Sequence, residues 1–273
     1  MNLYKPYQVK IDKIEEHSEN VKLFRYKRPK GKFQKNENNL FFNPGQFVLA
    51  SVLGYGEAPF GIASSPFESE YMEILVNKVG TLTKALHKLK KGDEIFIRGP
   101  YGNGFPLDFI KGKDVIIITG GCGIPPMVAL MDFIIKNRDD FGDVYLAYGA
   151  KTPEDILLKE KIESWRDAIN VLLTVDEPNK DWQGNVGLVS GLIDNIKINY
   201  KNTVAAICGP VPMVKALEKV LKPLGVSDRR IFVSMERRMQ CGIGKCQHCV
   251  TGDKYVCQDG PVFTFDEMQK GWD

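Results

Sequence analysis

Four cysteines crowd the end of the sequence, Cys241, Cys246, Cys249 and Cys257, in the spacing Cys-x4-Cys-x2-Cys-x7-Cys. Thiols at that density close disulfides or hold metal. The N-terminus, MNLYKPYQVK, has no apolar h-region, so the chain is expected in the cytoplasm, where thiols stay reduced and metal is favoured. Structural zinc takes two separated Cys-x2–4-Cys or His-x3–5-His pairs. Here the first interval is wider and three cysteines share one short loop, the arrangement of a plant-type [2Fe–2S] centre. Gly242 and Gly244 let that loop bend back and aim N–H groups at sulfur. His248 offers zinc another ligand, but beside Cys249 it would be strained, and a Rieske centre needs two histidines where this stretch has one. The spacing points to [2Fe–2S], with zinc and a disulfide as alternatives and His248 as an exposed polar neighbour.

Three glycine-containing turns carry a second kind of chemistry. TGGCGIPP (119–126) follows an apolar strand and opens an apolar-faced helix. Glycines at such a junction let backbone approach phosphate, and a helix N-terminus favours negative charge, so the turn reads as a dinucleotide site or as an ordinary tight strand–helix turn. CGPVPM (208–213) is a second strand-to-helix junction, bringing Cys208, Gly209, Pro210 and Met213 to the same sheet edge. GTLTKAL (80–86) opens a short helix, where Gly80, Thr81 and Thr83 supply donors for a pyrophosphate or simply cap the helix. Cys122 and Cys208, isolated from the other cysteines, read alone as small buried apolar residues.

These residues need elements to hold them. From 1 to 108 the chain runs in short strands, Val21 to Tyr26, Phe47 to Val52, Met72 to Val76 and Ile95 to Arg98, punctuated by Gly and Pro and interrupted by one helical patch, Leu82 to Leu89. That pattern predicts an antiparallel β-barrel or sandwich. From 109 to 234, DVIIITGG, DVYLAYGA, NVLLTVDEP, TVAAICGP and RIFVSME alternate with helical stretches such as PEDILLKEKIESW, predicting an α/β doubly wound parallel sheet. Residues 235–273 form a small C-terminal cysteine module. A length of 273 residues accommodates this division, and a net charge of +3 with no long basic run excludes nucleic acid as a partner. The longest apolar run, Val115 to Thr119, is strand-sized, so no membrane span is expected. Lys27, Arg28, Lys30 and Lys32 read as a solvated hairpin loop.

Nearly the whole chain resembles the ferredoxin-reductase-type flavoproteins with a C-terminal [2Fe–2S] domain. The motifs PGQF, APFGIASSP, GTLT, GPYGNGF, GGCGIPP, CGPVPM and ERRMQCGIGKCQHC…YVCQDGPVF lie in that family's order. Within it, the chain is most similar to the electron-transfer subunits of cytoplasmic sulfhydrogenase and anaerobic sulfite reductase, with that of dihydroorotate dehydrogenase more distant. The resemblance implies FAD in the barrel domain, NAD(P)H on the α/β domain and exit of electrons through a [2Fe–2S] cluster. It implies that Gly80 and Thr83 meet the FAD pyrophosphate and that Pro59, Phe60, Gly61, Ile62 and Ala63 lie along the isoalloxazine. It places Gly120, Gly121, Gly123 and Pro125 on the nicotinamide dinucleotide, with Cys208 and Gly209 beside the reacting ring. One departure stands out: the family's Arg-x-Tyr-Ser/Thr is here Ala58-Pro59-Phe60-Gly61, without the phosphate-binding arginine or the hydroxyl facing flavin N5. A backbone N–H of Gly61 or Ile62, or the Ser64 hydroxyl, substitutes as N5 partner.

The implied activity is an NAD(P)H-dependent oxidoreductase subunit that converts a two-electron hydride into single electrons. The ring systems must stack with reacting atoms roughly 3–3.5 Å apart, and the flavin supplies the chemistry. The implied partners are catalytic subunits of a hydrogenase or sulfite reductase, in a hetero-oligomer, or alternatively dihydroorotate dehydrogenase or another bifurcating complex. A reductase serving a small-molecule acceptor is a third possibility, and a zinc-stapled regulatory protein is the reading from a different class. Lys151 is a candidate for an NADPH 2′-phosphate; Asp176 and Glu236 read as ordinary structural acids.

Overall fold

The computed structural model describes residues 4–29 and 34–268. The first part of the chain contains β1 (Tyr7–Ser18), β2 (Val21–Lys27), β3 (Phe47–Val52), β4 (Gly56–Gly61), β5 (Tyr71–Asn77), α1 (Thr81–Leu86), β6 (Glu94–Tyr101) and α2 (Leu107–Ile110). Among the described residues the strands form one six-stranded antiparallel sheet in the order β4-β3-β6-β1-β2-β5. A bridge from Ile62 to Ile74 joins its two edges and closes it into the expected barrel. Inward residues alternate along β5, and Phe24, Tyr26, Val48, Ile74 and Ile95 fill the interior. Lys30 and Lys32 of the basic stretch lie outside the described residues. Arg28 stacks over the Phe41 ring, its guanidinium carbon 3.4 Å from the centroid.

The second part contains β7 (Asp114–Gly120), α3 (Pro125–Lys136), β8 (Val144–Ala150), α4 (Lys159–Trp165), β9 (Asn170–Val175), β10 (Asn185–Val186), β11 (Thr203–Cys208), α5 (Val211–Leu221) and β12 (Ile231–Ser234). These strands are parallel, in the order β10-β9-β8-β7-β11-β12. The order reverses between β7 and β11, whose ends carry the two glycine turns. That is the switch point at which doubly wound sheets bind ligands. The helix expected over PEDILLKEKIESW begins only at Lys159. Ile156, Leu157 and Leu158 are all buried, which one face of a helix cannot achieve for three consecutive residues.

The remaining chain holds a small hairpin, β13 (Val250–Thr251) and β14 (Lys254–Tyr255), then β15 (Val262–Thr264) and α6 (Phe265–Met268). β15 pairs antiparallel with β12, adding an edge strand to the parallel sheet. The barrel and the α/β layer also share core: Ala63 and Leu75 pack with Met127 and Leu130 of α3, and Ala129 of α3 packs into the barrel interior. Among the described residues no helix is long and apolar enough to cross a membrane.

Candidate functional site

β4 is an edge strand, which tolerates Pro59 because a proline lacking N–H costs least where no neighbour awaits its hydrogen bond. Its residues Glu57, Ala58, Pro59, Phe60 and Gly61 form one wall of a cleft of about 920 Å³. The opposite wall comes from the switch point, with Cys122, Pro125, Pro126 and Cys208. The segment after β12 closes the third side, from Ser234 to Gln240, and His248 of the cysteine loop reaches the same space. Thr83 and Asn77 extend the cleft toward α1.

The predicted flavin residues divide. Pro59, Phe60, Gly61 and Thr83 face the cleft. Ile62 is buried in the barrel interior and Ala63 in the shared core. Their N–H groups are engaged, Ile62 with the Gln46 carbonyl at 3.5 Å and Ala63 with that of Glu73 at 2.8 Å. The Ser64 hydroxyl is buried and accepts the Glu73 N–H at 3.3 Å, which commits it to β5. Thr83 Oγ1 accepts the N–H groups of Val79 (2.9 Å) and Gly80 (2.8 Å), so its hydroxyl shapes the turn, while Thr81 is exposed.

At the switch point, Tyr148 Oη donates to the Gly121 carbonyl at 3.1 Å, fixing a glycine with φ +51°. A Cβ on Gly123 would strike the Cys208 carbonyl, so close approach of the two turns requires glycine there. Gly120 and Gly209 both face Met213; a Cβ on Gly120 would lie 3.0 Å from its sulfur. Pro125 and Pro126 open α3, and Pro210 precedes α5.

Burial pushes the Cys208 thiol well above the usual range, assisted by the charge of Glu236 and opposed by a hydrogen bond with Ser234. Burial likewise pushes Cys122 up to about 11, with Glu236 adding to the shift and a bond to Asn77 opposing it. Glu236 keeps exposed surface within the cleft, yet the surrounding walls desolvate it and raise its carboxyl. Both thiols are therefore neutral in this cleft, apolar surfaces rather than nucleophiles.

The cysteine loop packs against the barrel. All six cysteines are free. Cys241 Sγ accepts N–H groups from Ile243 (3.4 Å), Lys245 (3.3 Å) and Cys246 (3.4 Å), and Cys257 Sγ accepts that of Gly244 at 3.0 Å. Gly242 and Gly244 have φ +73° and +72°, the left-handed turn that directs these amides inward. Among the described residues, no three His, Cys, Asp or Glu side chains converge as a single metal ion requires. The thiols neighbour one another, Cys246 beside Cys241 and Cys257 beside both Cys249 and Cys241. Four neighbouring thiols, with backbone N–H groups aimed at Cys241 and Cys257, fit an iron–sulfur cluster. His248 bonds the Cys246 carbonyl through Nδ1 at 3.2 Å.

Two anchors of this loop were invisible in the sequence. Asn103, in GPYGNGF, donates from Nδ2 to the carbonyls of Asp259 (2.9 Å) and Val262 (2.8 Å) and accepts the Val262 N–H at 3.2 Å. Arg98, buried on β6, bonds both Glu57 and the loop backbone. Lys151 is exposed and stands 3.6 Å from Glu177.

Three family models match in succession: an oxidoreductase FAD-binding domain over 8–105, an oxidoreductase NAD-binding domain over 117–219, and the iron–sulfur cluster binding domain of dihydroorotate dehydrogenase B over 236–269. The last sets the zinc alternative aside. Sulfhydrogenase 2 subunit gamma of Pyrococcus furiosus is 37% identical, covering 97% of this chain and 96% of its own. The probable dihydroorotate dehydrogenase B (NAD(+)) electron transfer subunit of Thermococcus kodakarensis is 35% identical over 95% of this chain and 97% of its own. Among solved structures, a chain of the NADH-dependent reduced ferredoxin-NADP oxidoreductase superposes with a TM-score of 0.75 at 25% identity, covering 96% of this chain and 92% of that one. The cytochrome b5 reductase domain of Ulva prolifera nitrate reductase shares the fold, with TM-score 0.69 at 21% identity over 85% of this chain and 98% of that one. With barrel, switch point and cysteine loop converging on one cleft, the chain belongs to the family of ferredoxin-reductase-like oxidoreductase subunits, with FAD-binding, NAD-binding and iron–sulfur domains, that includes the sulfhydrogenase gamma and dihydroorotate dehydrogenase B electron-transfer subunits.

Proposed function

We propose that this subunit passes electrons between NADH, FAD and a [2Fe–2S] cluster, in exchange with the catalytic subunits of a hydrogenase of the sulfhydrogenase type. The observation that carries the reading is the single cleft shared by the flavin strand β4, the dinucleotide turns and the cysteine loop. Bound there, FAD exchanges a hydride with the nicotinamide and single electrons with the cluster.

The chain's own residues orient the partners and shield them. Pro59, Phe60 and Gly61 offer a flat edge for the isoalloxazine, and Gly80 with the Thr83-held turn receives the pyrophosphate. Gly120, Gly121, Gly123 and Pro125 take the nicotinamide dinucleotide. Cys208, neutral and buried beside Gly209, Pro210 and Met213, limits how deeply the nicotinamide enters and keeps water from it. Ser64 is not assigned to flavin N5, since it is buried away from the cleft that Gly61 lines; the Gly61 N–H takes that role. Cys241, Cys246, Cys249 and Cys257 would hold the cluster as thiolates. Lys151 pairs with Glu177 only at an exposed 3.6 Å separation, too weak to decide between the cofactors; the NAD(+) named for the dihydroorotate dehydrogenase B relatives favours NADH.

Purification under anaerobic conditions tests this. The protein is expected to be yellow-brown, with about one FAD, two iron and two sulfide per chain, and to reduce ferricyanide faster with NADH than with NADPH. A colourless protein holding one zinc overturns the reading. The similarity to dihydroorotate dehydrogenase B subunits favours a second partner class. Co-purification of a hydrogenase supports the first partner, and of a dihydroorotate dehydrogenase the second.

A further inference from the structure

Arg98 joins the flavin strand to the cysteine loop through one side chain. It is 6% exposed, a buried cation in the barrel wall. Its Nε donates to Glu57 Oε1 at 2.8 Å, and Nη2 donates to Glu57 Oε2. The far side of the same guanidinium serves the loop: Nη2 donates to the Gln240 carbonyl at 2.8 Å and Nη1 to the Cys241 carbonyl at 3.0 Å. A longer contact runs from Nη1 to Tyr101 Oη at 3.4 Å. Glu57 immediately precedes Ala58 on β4 and lines the cleft. Cys241 is the first cysteine of the cluster motif, and its sulfur collects three loop amides.

A planar fork is what this position demands. One edge holds a carboxylate side-on and the other holds two successive carbonyls, with all the angles fixed by a single rigid group. Lysine carries the charge on a point and cannot hold both edges together. Glu57 neutralises the buried cation locally, so what Arg98 adds to the assembly is geometry.

We propose that Arg98 is a positioning residue for electron passage between flavin and cluster. It pins the backbone at Gln240 and Cys241 to the flavin strand and so fixes their separation, while touching neither nucleotide nor sulfur. The inference rests on the FAD and [2Fe–2S] reading above. In the step concerned, one NADH gives up a hydride, two electrons and a proton, and leaves as NAD+. Flavin bound in the cleft would take that hydride together with a solvent proton, then release one electron to the cluster, one to an added acceptor such as ferricyanide, and both protons to solvent.

Anaerobic stopped-flow reduction of the full holoprotein by NADH separates these events, because flavin and cluster bleach at different wavelengths. Wild-type protein without flavin or iron overturns the underlying reading before any variant is made. In Arg98→Lys, flavin bleaching by NADH is expected within about twofold of wild type, and cluster bleaching slower by roughly tenfold, as a small misplacement of reacting centres produces. Cluster reduction at the wild-type rate overturns the proposal. Where Arg98→Lys carries less iron than wild type, hydrogen exchange of the full chain decides. Faster exchange at 240–246 and in β4, with α3 unchanged, supports the proposal; exchange there equal to wild type overturns it.

Discussion

Gly61, the last residue of β4, rests against Pro126 at the start of α3, so that a Cβ at Gly61 would lie 3.1 Å from the proline Cδ. A wall of the FAD-binding domain and a wall of the NAD-binding domain meet at this seam. A larger side chain there must push the two walls apart. Gly61→Val is therefore expected to keep FAD but slow NADH-dependent ferricyanide reduction by one to two orders of magnitude, roughly the cost of misaligning reacting atoms by 1 Å. Flavin content together with the rate of flavin bleaching checks this; wild-type hydride transfer counts against the seam's role.

Cys257 follows the loop at a distance in sequence yet receives the Gly244 amide. Replacing it with serine exchanges a soft thiolate for a hard hydroxyl that binds iron poorly. Cys257→Ser is expected to lose most of its iron and sulfide, while FAD and NADH–ferricyanide activity persist. Metal analysis beside the visible spectrum reads both outcomes, and full iron retention would exclude Cys257 as a ligand.

Gly242 combines φ +73° with a hypothetical Cβ 2.8 Å from Leu49 Cδ1. Alanine there pays the left-handed penalty of about 1–2 kcal/mol per residue and also meets the barrel wall. Gly242→Ala should lower the melting temperature by roughly 2–8 °C. Differential scanning calorimetry of the holoprotein gives the number directly; an unchanged transition means the loop tolerates lifting from the barrel.

Cys122 has its thiol pushed up to about 11 by burial. Only the thiolate alkylates, so below that pH reactivity climbs about tenfold per unit. At pH 8, iodoacetamide should label Cys122 about a hundredfold more slowly than an ordinary thiol. The same shift destabilises the fold as pH rises from the unfolded thiol's range toward 11, because the unfolded chain ionises first. Peptide mass spectrometry over a pH series follows the labelling; fast reaction at neutral pH would show an open, activated thiol.

Much of this architecture was legible locally. The glycine turns announce themselves because the strand, the turn and the helix that form each one are contiguous. The cysteine spacing is legible for the same reason. β4 was obscured, since Gly54, Gly56, Pro59 and Gly61 carry the signs of a turn, and only its edge position makes such a strand workable. Ser64 was a reasonable candidate by composition, but the fold buries it away from the cleft, where it accepts the Glu73 N–H nine positions along. Arg98 bonds residues 41, 142 and 143 positions distant, a juxtaposition that only the closed barrel creates. His248 is exposed as expected, yet the fold turns it toward the cleft.

Ser234 ends β12 and pairs with Val262 at the start of β15, so the whole cysteine-bearing stretch leaves the sheet and returns to it at one point. The entropy of bringing those ends together is already met by strand pairing, and closure cost grows only with the logarithm of loop length. Metal therefore has little chain to gather. Maturation of the centre is a local ordering event inside a tethered hoop, and a chain awaiting its iron keeps the hoop's two ends in register.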